Sequence, residues 1–324
     1  MTKTLFRLGY VAMSVNLKNS SPSQTITYKR FSQFADEEAA IQKLETVAKS
    51  NIQNCLRLLK HNKANDIHFF RLSSRLIPLA THDALKGWDY ISPIKEDLEE
   101  LGEFAAKHEI RMDFHPDHFV VLNTTKKEVM KTSVKTLDYH HKLLTHMKLK
   151  PIHRCVLHLG GKYENKESSL ERFISNWALV PARIQEMIML ENDDKTYTLH
   201  DILYVCEKLN IPAVFDLHHH MANHEREDWI SEWGRVIQTW SASPLPVKMH
   251  ISSPKSDKQF RAHANMIDPE MFLTFVKKVN GSTPQIDCMI EAKQKDQALF
   301  QLVDDLKANS EVEMVDEASF YLKS

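Results

Sequence analysis

Residues 188–217 read IMLENDDKTYTLHDILYVCEKLNIPAVFDL, and this stretch decides the fold. It opens on a short apolar run, Ile188–Leu190, passes through a helix-period segment, Thr198–Leu209, and ends on a second apolar run, Ala213–Leu217. Short runs of this kind, bounded by polar residues or Pro, are core strands. Working outward, the same alternation recurs. Phe6–Val11, Ile67–Leu72, Ile110–Phe114, Cys155–Leu159, Val247–Ile251 and Ile286–Ile290 complete eight candidate strands. The segments between them are amphipathic: Asp36–Lys60, Pro93–His108, Thr125–Lys148, Ser168–Glu186, Thr198–Leu209, Glu225–Trp240, Pro269–Val279 and Asp296–Leu306. In the first, Ile41, Leu44, Val47, Ala48, Ile52 and Leu56 keep close to a 3.6-residue period. Pro93 near a start, with acidic residues in the early turns, suits a helix N-terminus. Eight alternations predict an α/β protein, a single (β/α)8 TIM barrel over residues 1–324. An open doubly wound sheet would use the same units, so closure is an expectation. Asn16–Thr27, rich in Ser and Thr, reads as a long surface loop at the strand ends.

Composition narrows the function. Lys and Arg total 42 against 43 Asp and Glu, a net charge of −1. A general basic footprint for nucleic acid is missing, so such binding must be local or assisted by bound cations. No apolar stretch approaches the roughly 20 residues needed to cross a bilayer. The run Leu5–Val15 is broken by Arg7 and lacks a small-residue cleavage site, which argues against a signal peptide. Cys55, Cys155, Cys206 and Cys288 lie far apart, giving neither a zinc ribbon nor a secreted disulfide framework, and a reducing cytoplasm is expected. Histidine is the oddity, with 18 copies in a chain of neutral balance.

In a barrel the active face lies at the carboxyl ends of the strands. Those ends read Asp113-Phe114-His115-Pro116-Asp117-His118, His158-Leu159-Gly160-Gly161, Glu191-Asn192-Asp193-Asp194, Asp216-Leu217-His218-His219-His220, Lys248-Met249-His250-Ile251-Ser252-Ser253 and Glu291-Ala292-Lys293. Strand two adds Arg71-Leu72-Ser73-Ser74 and, later, His82. Imidazoles and carboxylates from six strand ends form a cage for divalent metal, and oxygen and nitrogen donors without thiolate suit Mn²⁺, Mg²⁺ or Zn²⁺. A single site needs about four to six donors, so this supply implies more than one ion. A lone strand-end His is more often a hydrogen-bonded structural residue, and Glu191–Lys195 could be a solvated loop. Six ends agreeing is the signal. His218–His220 cannot all face inward, and His219 can join Asp216 only if the chain turns after Leu217.

Lys248 among divalent cations would tend to lose its proton, and the neutral amine could bind metal or form a carbamate. The bland alternative sends it to solvent, Asp216 or Glu291. No G-x-S-x-G elbow marks a serine nucleophile near Ser73-Ser74 or Ser252-Ser253. Lys126, Lys127, Lys131 and Lys135 read as a solvated helix face, whereas Arg71, Arg75, Lys255, Lys258 and Arg261 fall in loops of the active face.

Gly9-Tyr10, Phe70-Arg71-Leu72-Ser73-Ser74, His115-Pro116, Leu190-Glu191-Asn192-Asp193, Phe215-Asp216-Leu217-His218-His219, His250-Ile251-Ser252-Ser253-Pro254 and Met289-Ile290-Glu291-Ala292-Lys293 together resemble the UV-damage endonucleases. The resemblance runs in order from about residue 5 to residue 305. It implies a barrel nuclease that incises double-stranded DNA immediately 5′ to pyrimidine dimers and related photoproducts, using a cluster of divalent ions. Mn²⁺ is expected first, with up to about three ions, and Mg²⁺ or Zn²⁺ as alternatives. By position the resemblance makes His115, His158, Glu191, Asp216, His219, His250, His263 and Glu291 the ligands; Glu191, with two oxygens and a central strand, is the expected bridging ligand. It matches Lys248 to a lysine that can be carboxylated and His82 to a histidine close to the cluster, so Lys248, Glu191 and His82 are the expected catalytic set. Tyr10, His118 and Phe119 match residues that probe the damaged duplex. The family commonly has glutamine where this chain has His118, which can still donate and stack but is titratable. An asparagine often found after the first-strand aromatic is not evident, Ser14 and Asn16 being the nearest polar residues. A soluble monomer with no membrane partner is expected. The rival readings are a metal-dependent sugar isomerase, which needs a small closed polar pocket, and a damage-binding barrel without turnover.

Overall fold

The computed structural model describes residues 3–323. All eight expected strands form: β1 (Leu5–Val11), β2 (Phe69–Arg71), β3 (Arg111–Asp113), β4 (Cys155–His158), β5 (Ile188–Glu191), β6 (Ala213–Asp216), β7 (Val247–Ile251) and β8 (Gln285–Ile290). They pair in parallel in the order β3-β2-β1-β8-β7-β6-β5-β4. The two ends of that path meet through one parallel bridge, Phe114 with Cys155, where Phe114 N–H donates to the Arg154 carbonyl at 2.8 Å. The nearly closed barrel is therefore decided in favour of the TIM-type alternative over the open sheet.

Strand parity sorts the side chains into two layers. Phe6, Leu8 and Tyr10 are fully buried on the face that meets the helices. Tyr10 donates its phenolic O–H to Asn62 Oδ1 of helix Glu37–Ala64 at 2.7 Å and packs edge-on against Phe70. The intervening Gly9 permits β1 to lie against β2, because a Cβ there would stand 2.3 Å from the Phe69 carbonyl oxygen. Arg7, on the opposite parity, joins an ion cluster at the amino ends of the strands. Its Nε and Nη2 donate to Asp287 at 2.8 and 3.0 Å, and Arg111 Nη1 donates to the same carboxylate at 2.9 Å.

The helices follow the expected pattern with local changes. The segment Ser168–Glu186 is split into helices Lys166–Trp177 and Ala182–Gln185, because Pro181 cannot continue the first. A short helix, Leu217–Ala222, follows β6 directly. Past the last helix, Lys295–Ala308, two strands were not anticipated: β9 (Val312–Met314) and β10 (Ser319–Leu322). They form an antiparallel pair, and β10 lies antiparallel to β1 at Phe6 and Arg7, stacking Phe320 on Phe6. No helix among the described residues is long and apolar enough to cross a membrane.

Candidate metal centre

Glu191, the last residue of β5, is 1% exposed and forms the hub. Its Oε2 lies 2.8 Å from His115 Nε2, just beyond β3, and 3.7 Å from His158 Nε2 at the end of β4. Its Oε1 lies 2.7 Å from His250 Nδ1 on β7 and 3.5 Å from His219 Nδ1. Ligand atoms of His115, His158 and Glu191 fall within 4.8 Å of one another, as do those of Glu191, Asp216 and His250.

The turn after Leu217 takes place. Asp216 caps the Leu217–Ala222 helix, accepting the His219 N–H at 2.6 Å, and the first helical turn carries His219 back towards Glu191. Its neighbours in the triple are structural. His218 bonds Ser252 Oγ and the Phe260 carbonyl, both at 2.6 Å, and His220 Nε2 meets the Glu227 carbonyl. Asn192 clamps the ends of β5 and β6, accepting the Asp216 N–H and donating to its carbonyl at 2.9 Å each. His263 is delivered by a bridge to Pro254, its Nδ1 on the Glu291 carbonyl at 2.8 Å and its ring 6.2 Å from that of His219. Glu291 sits 3.2 Å from His250 Nδ1. All eight expected ligands lie at one end of the barrel, and five of them, His115, His158, Glu191, Asp216 and His250, fall into groups of metal-binding size.

The electrostatics are those of crowded acid. Burial raises the pKa of Glu191 and of Asp216, partly offset by His219 beside each. Burial would lower His219, but Asp216, Glu191 and Glu291 outweigh it and push its pKa up to about 10. Burial also works on Glu291, yet the Arg71 guanidinium, with His115 and His263, holds it well below the usual carboxylate range. Burial and Arg71 hold His115 at about 4, hence neutral.

A divalent ion fits this donor set. Neutral His115 carries one ring N–H, but Nδ1 faces the Pro116 carbonyl at 3.1 Å and Nε2 faces the Glu191 carboxylate at 2.8 Å. One of the two is a lone pair against a lone pair, a conflict that a cation removes. His158 Nδ1 and Asp216 Oδ2 are buried without a hydrogen-bond partner among the described residues. Such orphans, in a cluster of acids and imidazoles lacking thiolate, are the chemistry of a Mn²⁺, Mg²⁺ or Zn²⁺ site.

Four expectations need correction or refinement. Tyr10, expected at the DNA-facing surface, is turned by strand parity into the helix layer, where it is 0% exposed. His82 is not in the cluster: it stacks on Tyr28 with ring centroids 4.2 Å apart and accepts the Ala84 N–H, so its contacts are those of a rim residue. Lys248 goes neither to solvent nor to Asp216 or Glu291; it is fully buried and donates to Asp113 Oδ2 at 2.7 Å. Burial lowers its pKa to about 8 against the opposing pull of Asp113. Arg71, read from sequence as a loop cation, ends β2 inside the centre, where Nη2 donates to Glu291 Oε1 at 2.5 Å and to His250 Nε2 at 2.9 Å. Asp113 and Arg71 both stand in the strand-end stretches of the sequence, Arg71 within a family motif, but nothing there assigned either a place in the centre. His118 and Phe119 lie on the loop beyond β3, rings 4.2 Å apart, with Phe119 69% exposed.

Known proteins resemble this chain along most of its length. The family profile described as "UV-endonuclease UvdE" matches residues 6–321. A UV DNA damage endonuclease of Halalkalibacterium halodurans is 50% identical over 314 residues, 97% of this chain and 98% of that protein. One from Bacillus pumilus is 39% identical, covering 94% of each. The crystal structure of SacUVDE superposes with a TM-score of 0.82 at 30% identity, covering 93% of this chain and 98% of the other. The chain thus belongs to the UvdE family of UV endonucleases.

Proposed function

We propose that this protein hydrolyses the phosphodiester immediately 5′ to UV photoproducts in duplex DNA, leaving a 3′-hydroxyl and a 5′-phosphate, and acts as a monomeric cytoplasmic single-domain repair enzyme. The observation that carries the reading is the meeting of imidazoles and carboxylates from six strand ends around Glu191. His115, His158, Glu191, Asp216, His219, His250, His263 and Glu291 would hold the ions, Mn²⁺ first. Bound there, divalent ions lower the pKa of water and stabilise charge on phosphoryl oxygens.

The chain's own residues do the rest. Glu191 fixes the imidazoles of three strands at once. Lys248, whose burial favours the free amine, is the site for carbamate formation, with Asp113 holding its Nζ in place. His118 and Phe119 form a paired aromatic edge on the rim, the outward-facing Phe119 being suited to wedge into a duplex. Unstacking costs a few kcal/mol and is least where pairing is already damaged, which supplies selectivity.

Irradiated supercoiled plasmid with Mn²⁺ should be nicked, unirradiated plasmid spared, and chelator should stop the reaction. Intact irradiated plasmid in the presence of protein-bound Mn²⁺ would refute the nuclease reading. His118→Gln should change the ratio of incision among defined lesions by about tenfold or less, one hydrogen-bonding contact's worth, with Mn²⁺ content unchanged. Depleted Mn²⁺ would place His118 in the centre instead of on the rim.

A further inference from the structure

Arg71 makes its hydrogen bonds on one side of the centre only, although its charge also reaches His115 and Glu191. Its Nη2 donates to Glu291 Oε1 at 2.5 Å and to His250 Nε2 at 2.9 Å, and its side chain is buried. A guanidinium keeps its charge at any working pH and has no acceptor to offer a cation. Lone pairs that accept from it are therefore withheld from a divalent ion. The other side differs. Ligand atoms of His115, His158 and Glu191 come within 4.8 Å of one another, and Arg71 hydrogen-bonds none of the three among the described residues.

We infer that Arg71 is a built-in competitor for divalent ions at the Glu291–His250 side of the centre, so that the His115–His158–Glu191 side fills first and the Arg71 side last. An ion arriving at Glu291 and His250 must displace two charge-assisted hydrogen bonds. It must then stand beside a positive charge whose backbone is fixed in β2. Until it arrives, the guanidinium offsets part of the negative charge of Glu291, Asp113 and Glu191. Arg71 is thus a positioning residue with two opposed effects: it stabilises the stripped protein and weakens the last ion. A merely structural arginine would do only the first, and its loss would loosen metal along with the fold.

The inference rests on the proposed metal centre, and the test separates the two. Chelator-stripped wild-type protein, Arg71→Met and Arg71→Lys are titrated with Mn²⁺, following free Mn²⁺ by its paramagnetic resonance. Wild type should show a tight and a weak class. In Arg71→Met the weak class should tighten by about tenfold or more, the equivalent of one charge-assisted contact. Arg71→Lys, which keeps the charge, should retain the weak class. Should stripped Arg71→Met fail to fold, the Mn²⁺-loaded variant is back-titrated with graded chelator, and its last ion should leave at about tenfold higher chelator than in wild type. A weak class in Arg71→Met that is unchanged or weaker overturns the inference, as does equal tightening in Arg71→Lys. Failure of every form to take up Mn²⁺ overturns the metal centre itself.

Discussion

Glu191→Gln should reduce nicking of irradiated plasmid by on the order of a thousandfold, about 4 kcal/mol at one decade per 1.4 kcal/mol. The carboxylate lies 2.8 Å from His115, 2.7 Å from His250 and 3.7 Å from His158, so it spans the centre. Glutamine has the same shape but replaces one acceptor by an N–H₂ and removes the negative charge. Either His115 or His250 then faces a donor where it had an acceptor, and cations lose a charged ligand. Folding should survive. Burial already raises the Glu191 pKa, meaning the charged form is disfavoured there, so a neutral isostere relieves a desolvation cost. Thermal melts in chelator should match or exceed wild type, and Mn²⁺ should stabilise the variant less than the parent. Unchanged nicking would remove Glu191 from its role, and collapse of the fold would show that the hub is structural.

Asp287→Asn should have the largest effect on stability, about 3–5 kcal/mol in chemical denaturation, the usual cost of stranding a buried charge. Asp287 is fully buried and accepts from Arg7, Arg111 and Gln285. Arg111 would keep its bond to the Pro246 carbonyl at 3.0 Å, its place over the Phe69 ring and the more distant Asp113 carboxylate at 4.0 Å, but not its 2.9 Å counter-charge. The pH dependence gives an independent check. Burial works to raise the Asp287 pKa, but Arg111 and Arg7 overcome it and hold the group below its ordinary value. A depressed folded pKa means that the stabilisation is complete above the unfolded value of about 3.9 and is lost as pH falls through the folded value. The gap between variant and parent should therefore be constant near neutrality and shrink only in strong acid. A loss below about 1 kcal/mol at pH 7 would show that solvent reaches the cluster.

Much of this protein is written in local pattern. Alternating apolar runs and helix-period segments specify eight strands and their crossovers, because periods of two and 3.6 residues are properties of the backbone. The strand-end acids and histidines were legible for the same reason: in a parallel barrel every carboxyl end faces one way. Pro181, within a stretch expected to be one helix, marks the break that the structure shows, and the β9–β10 pair carries alternating Val312, Met314, Phe320 and Leu322. Tyr10 shows a different failure. Its motif suggested a surface role, whereas parity with Phe6 and Leu8 already placed it among the buried residues.

Other features belong to the tertiary structure alone. Which of His218, His219 and His220 reaches Glu191 depends on the helix turning at Asp216, a cap made by one side chain. Whether Lys248 meets Asp113 or Glu291, and whether Arg71 lies in the centre or in solvent, depends on how strands distant in sequence are arranged round the barrel. The amino-acid pattern alone specified the secondary elements, the end of the barrel where imidazoles and carboxylates gather and the kinds of donor present. The folded structure decided which charge pairs with which, because ion pairing falls steeply with distance and depends on burial, and neither quantity is periodic along a chain.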